Sequence, residues 1–229
     1  MDPMKRHWKR WTLIGAIVAV VLVVGGPFVY INFIQDDAPE RLSVSSGTTA
    51  SGPATSVDGM WKTSSGSQAG YRVKEVLFGQ KVEAVGRTGD VTGDLTLSGT
   101  QVASGSFTVD LSTVKSDEDR RDQQFKGRIM EVSKYPDATF TLTRPIDLGT
   151  VPAVGAKVTA RAIGTLKLKD AEKPVTFDVT ASRTGDGTVE VSGSIPVKFA
   201  DYGIANPSVG PIQTEDNGQV EFLLKLTRP

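Results

Sequence analysis

Catalysis or metal binding in this chain of 229 residues would have to be built from carboxylates, hydroxyls and lysines. There is no cysteine, which removes thiolate nucleophiles, disulfides, thiolate metal sites and the lipid-modified cysteine of a lipoprotein. The single histidine, His7, stands beside Trp8 in a basic N-terminal run. Neither a Ser–His–Asp triad nor a multi-histidine metal centre can therefore be assembled in the rest of the chain. The densest acidic run, Ser116-Asp117-Glu118-Asp119, could suggest a divalent cation site. A capping box explains it better, with Ser116 as N-cap and acids in the first helical turn. Asp122 and Asp201 are carboxylates that an enzyme acting on lipid could use, but no nucleophile–base pair with an orienting partner accompanies them. The expectation is a protein without catalytic residues, metal or cofactor, which binds or scaffolds.

Charge narrows the partners. Four of the 26 basic residues, and only one of the 26 acidic residues, precede the first apolar run, so the remainder carries a net charge of −3. That remainder concentrates no Lys/Arg cluster on one strand or loop, and nucleic acid is not an expected partner. Between Arg10 and Asp36 no charged residue occurs, and Leu13 to Ile34 is almost wholly apolar. At 1.5 Å per residue, about twenty such residues cross a hydrocarbon core of roughly 30 Å. Trp8, Trp11 and Tyr30 suit the interfacial belts, and the flanking Lys5, Arg6, Lys9 and Arg10 place the N-terminus inside. The run is longer than the apolar core of a cleaved signal peptide and ends in bulky residues, so an uncleaved anchor is expected. The predicted organisation is a cytoplasmic tail (1–10), a transmembrane signal anchor (11–35), a flexible Ser/Thr/Gly/Pro-rich linker (36–57) and an extracytoplasmic domain (58–229).

That domain alternates with period two, the mark of strands with one buried face. Val91, Leu95 and Leu97 oppose Thr92, Asp94 and Thr96, and Phe107, Val109 and Leu111 oppose Thr108 and Asp110. Further such runs occupy 139–143, 158–168, 175–180, 189–199 and 220–226. With the Tyr71–Val76 region they make about eight strands, although Tyr71 to Glu75 reads as a solvated face. Turns are expected at Ser98-Gly99-Thr100, Ala171-Glu172-Lys173-Pro174 and Gly185-Asp186-Gly187. Closure into a barrel would remove the exposed edges of such long strands, and a two-sheet sandwich is the alternative. One insert breaks the period: a short helix running to Lys126 and ended by Gly127, whose Phe125, Ile129 and Met130 could plug the core or roof a cavity. Arg121 and Asp122 could tie this helix to the barrel or meet a polar head group. The loop Asp201 to Pro211, with Tyr202 and Asn206, could gate a pocket or serve as an ordinary connection.

In order along the chain stand Trp61, Phe107-Thr-Val-Asp-Leu111, Arg121-Asp122 with Phe125-Lys126-Gly127, and Lys134-Tyr135-Pro136-Asp137-Ala138-Thr139-Phe140. Gly164-Thr-Leu-Lys-Leu168 with Lys173-Pro174-Val175, and then Asp201-Tyr202-Gly203-Ile204, complete the series. With these elements the chain resembles the YceI-like family, polyisoprenoid-binding barrels of bacterial envelopes, from about Asp58 to Leu226. It departs from the family's pattern in lacking histidines in the first strands and in carrying Tyr202 where phenylalanine is usual. The resemblance implies an all-β fold, a lipocalin-like eight-stranded antiparallel barrel with a short helical insert, here preceded by one transmembrane helix. It further implies a long-chain isoprenoid ligand (a polyprenol, polyprenyl phosphate or isoprenoid quinone) and a place on the bacterial cytoplasmic membrane, barrel outside. The inward-facing residues mix large with small, which fits either a channel or a filled, interdigitated core. The resemblance favours the channel, lined by Phe107, Phe125, Met130, Phe140, Leu142, Ala162, Gly164, Leu166, Phe177 and Tyr202. Without a ligand the barrel would be a structural or interaction module of the envelope.

Overall fold

The computed structural model describes residues 38–45, 57–77, 79–184, 187–210 and 212–229. The expected membrane span lies outside the described residues, and among those described no helix is long and apolar enough to cross a membrane. The compact unit Pro39–Pro229 contains all the strands.

β-Branched and aromatic residues alternating with polar ones produce thirteen strands among the described residues. They are β1 Gly59–Thr63, β2 Gln68–Leu77, β3 Gln80–Thr88, β4 Val91–Ser98, β5 Gln101–Asp110, β6 Lys115–Ser116 and β7 Asp137–Leu142. β8 Ile146–Asp147, β9 Lys157–Leu168, β10 Ala171–Arg183, β11 Val189–Lys198, β12 Ile212–Thr214 and β13 Asn217–Thr227 follow. β1 and β2 are two segments of one bent strand, since both run antiparallel to β13 on one side. β3 and β4 form the next bent strand, pairing with β2 and β1 respectively. From there the order runs β5, β7, β9, β10, β11, β13 and back to β1, so the ring closes on eight strands once each bent pair is counted as one. All these pairings are antiparallel. The ring closure decides for the barrel over the sandwich.

Turn chemistry mostly falls where the sequence puts it. Gly99 supplies the positive φ of the β4–β5 hairpin, and the β10–β11 connection is closed by the Thr184 N–H donating to the Thr188 carbonyl at 2.8 Å. The β9–β10 turn differs from expectation. It lies at Lys169-Asp170, while Ala171 to Pro174 already pair with β9, Pro174 facing Thr165. Lys169 adopts φ 56° there, and its ammonium is held by the Glu131 carboxylate and the Gly203 carbonyl.

The insert also differs in detail. The helix α1, Asp119–Gln124, begins after Glu118 and not after Ser116, and no side chain caps it. Ser116 instead donates both its N–H and its hydroxyl to Asp122 Oδ1, each at 2.8 Å. That reach is one turn too far for the expected capping box. Gly127 does not stop the helix: it sits inside a wider turn, Phe125–Ile129, and the chain turns off at Glu131 with φ 51°.

Of the expected linker, residues 39–45 lie against the outside of the barrel as a strap. The Pro39 carbonyl accepts from Arg72 at 2.6 Å and the Glu40 carbonyl accepts from Arg87. Arg41 donates to Gln219 at 2.6 Å, and the Val44 carbonyl accepts from Lys157 at 3.2 Å. The Ser45 N–H donates to Glu190 at 2.7 Å. Val44 is buried. Residues 46–56 lie outside the described residues.

Candidate binding cavity

The inner wall is built by one rule repeated around the barrel. An aromatic side chain on one strand lies over a glycine on its neighbour. Tyr71 covers Gly86, Phe107 covers Gly93, Phe140 covers Gly164 and Phe222 covers Gly193. At Gly193 a Cβ would come within 2.7 Å of the Phe222 ring. Glycine in a strand marks a close approach of this kind, because only the missing side chain lets the ring lie flat on the sheet. Large and small residues therefore do interdigitate along the wall. They do not fill the centre.

Two apolar chambers remain. The first, about 150 Å³, is lined by Phe107, Phe140, Leu142, Ala162, Leu166 and Phe177, together with Gly105, Val191, Phe222 and others. Phe177 stands edge-on to Phe140 and Phe222, with centroid distances of 5.3 and 6.0 Å, so one aromatic file spans the chamber. The second, about 130 Å³, lies under the helical insert and is lined by Tyr71, Val73, Phe125, Met130, Phe199 and Ile204 among others. The insert is thus a roof over a cavity. Phe125 fixes it by stacking on Tyr71 at 4.9 Å. Ala69, Val109, Ala138 and Val220 border both chambers, so the two adjoin across small and medium side chains.

Eight of the ten residues singled out from the sequence line one chamber or the other. Gly164 does not, because the Phe140 ring occupies the space its side chain would take. Tyr202 does not either: it is buried in the turn Phe199–Tyr202, where burial and then the nearby Asp201 push its phenol up, and Phe199 lines the chamber in its place. The loop after it is pinned, with the Asn206 amide donating to the Thr214 carbonyl at 3.0 Å and to Asp216 at 2.7 Å. Ile204 and Pro207 from this loop complete the wall of the second chamber.

Polar groups gather at the helix end. Tyr71, Val73 and Glu75 face inward on β2 and border the second chamber, so this segment is not the solvated face expected of it. Burial raises the Tyr71 phenol above its usual range, against the opposing effect of Arg121. Burial also raises the Glu75 carboxyl, which Arg121 and the Thr214 hydroxyl pull back down. Arg121 pairs with Asp117 and borders the chamber, whereas Asp122 turns away to tie the helix to β6 through Ser116 and Lys115, the Lys115 ammonium 3.2 Å from Oδ2.

On the outer face the strap covers an ion cluster. Glu221 bridges Arg72 at 3.1 Å and Arg87 at 2.7 Å, and Arg72 also meets Glu83 at 2.6 Å. Arg72 and Glu221 are buried, although alternation places both on the outward face.

A closed meander of eight antiparallel strands around an apolar interior defines the class of up-and-down β-barrels. The YceI-like domain profile matches residues 61–226, and the chain belongs to that family. Among solved structures, a polyisoprenoid-binding domain from Saccharophagus degradans implicated in plant cell wall breakdown is similar at 20% identity and a TM-score of 0.60, covering 74% of this chain and 98% of that one. Burkholderia cenocepacia BcnA is similar at 22% identity and a TM-score of 0.51, covering 68% of this chain and 95% of its own. These likenesses establish the shared barrel fold. No curated protein sequence matches the chain significantly.

Proposed function

We propose that the domain is a carrier or buffer that holds one long-chain isoprenoid in its barrel, does no chemistry on it, and is tethered outside the cytoplasmic membrane by residues 11–35. The observation that carries this reading is the pair of adjoining apolar chambers that share Ala69, Val109, Ala138 and Val220 in their linings. A dry apolar cavity of roughly 150 Å³ takes a benzene-sized molecule. Each chamber therefore takes only a short length of chain, and a ligand that uses both must be narrow, apolar and extended, as an isoprenoid tail is. Burial of the tail supplies affinity at about 25 cal/mol per Å² before association costs. The ligand named for the Saccharophagus domain supports the same chemical class.

Organic extraction of the purified full-length chain followed by mass spectrometry tests the reading. An isoprenoid at near one-to-one stoichiometry is expected; phospholipid alone would refute the isoprenoid, and nothing would leave an unliganded envelope module. A reporter fused after Pro229 should be active only outside the cytoplasm, and activity inside would refute the tethering.

A further inference from the structure

We propose that the helix-side chamber selects an uncharged, hydroxyl-bearing head, an isoprenoid alcohol, and discriminates against its phosphate ester, through Glu75. The proposal rests on the isoprenoid reading and adds the end at which the head lies and its chemical class.

Glu75 follows Tyr71 and Val73 on the inward face of β2, at the border of the second chamber. One carboxylate oxygen, Oε1, accepts from the Thr214 hydroxyl at 3.3 Å. The other makes no hydrogen bond among the described residues and is open to a donor from a ligand. A terminal alcohol supplies that donor. A phosphate supplies acceptors and about −1.5 to −2 charges at neutral pH. The one cation on the chamber's lining, among the described residues, is Arg121, and Asp117 already pairs with it. Glu75, Arg121 and Asp117 together leave the rim net negative. Burial already disfavours the charged Glu75, with Asp117 adding to the effect, so a further anion beside it is opposed by like charge in a poorly solvated place. The first chamber differs: Arg183 borders it and no carboxylate does.

Native mass spectrometry of the full-length chain, released from micelles holding equimolar geranylgeraniol and geranylgeranyl phosphate, counts both adducts in one spectrum. The alcohol adduct should exceed the phosphate adduct by about tenfold or more. Glu75→Gln should raise the phosphate share severalfold, and so should Asp117→Asn, which frees Arg121 while leaving Glu75 in place. Equal adducts, or a phosphate excess, in the wild type would overturn the proposal. So would a phosphate share that ignores both variants and falls with Arg183→Met, since the head would then lie at the other end. If neither compound is retained, the isoprenoid reading itself fails and takes this proposal with it.

Discussion

Gly105 and Gly164 both face the inside of the barrel, yet they have opposite roles. A Cβ at Gly164 would run into the Phe140 ring and the Thr141 carbonyl, whereas at Gly105 the nearest atoms are Leu95 Cβ at 3.4 Å and Phe107 Cε2 at 3.5 Å, ordinary contact distances. Gly164→Ala should therefore destabilise the fold by about 1–3 kcal/mol, the usual cost of overpacking. Gly105→Ala should be close to neutral. Urea unfolding of the two variants checks this, and equal midpoints would show that the aromatic-on-glycine packing does not constrain the wall. The sequence makes the mixture of large and small residues on one face visible. It does not show that Phe222 pairs with Gly193 or that Phe140 leans over Gly164, because those neighbours are set by the register between strands distant in the chain.

Among the elements, the strap is the one that the sequence discloses least. Residues 38–45 carry no periodic apolar face, so composition gives a linker. What docks them is side-chain chemistry on strands more than thirty residues away: Arg72 on β2, Arg87 on β3, Lys157 on β9 and Glu190 on β11. Alternation assigns these residues to the solvent side, which is correct for the bare barrel. Period-two patterning was by contrast sufficient for the strands, because each carries its own pattern, whereas their closure rests on the pairing of β1 with β13 from the far ends of the domain. The insert lies between these cases. Its existence is legible from the broken period, but its tie to β6 is not, since Asp122 accepts from Ser116 across six positions. Glu190 gives the strap a pH dependence. Burial works to raise its carboxyl, but the Ser45 N–H and hydroxyl, with Lys225, hold it below its usual range. A carboxyl lowered in the folded state contributes stability that is present above its ordinary pKa of about 4.3 and is lost as pH falls through the lower folded value. Wild type should exceed Glu190→Gln in urea midpoint at pH 7, and the gap should shrink below about pH 4. A gap unchanged from pH 7 to pH 3 would contradict the strap contact.

The unit Pro39–Pro229 is a barrel whose wall is packed around two apolar chambers. The outer ion cluster and strap, the aromatic–glycine pairs and the roof formed by Phe125 on Tyr71 all fix the wall without filling the centre. That division of labour lets the interior be altered separately from the fold. Gly105 borders the first chamber and has room for a side chain, so Gly105→Leu should occupy that chamber while leaving the strands intact. The measurement that bears most directly on the lipid-holding role is the isoprenoid content of purified wild type and Gly105→Leu, taken alongside their urea midpoints. Near one-to-one lipid in the wild type, a several-fold loss in Gly105→Leu and similar midpoints are the predicted result. Equal lipid in both proteins, or none in either, would contradict a ligand held inside the barrel.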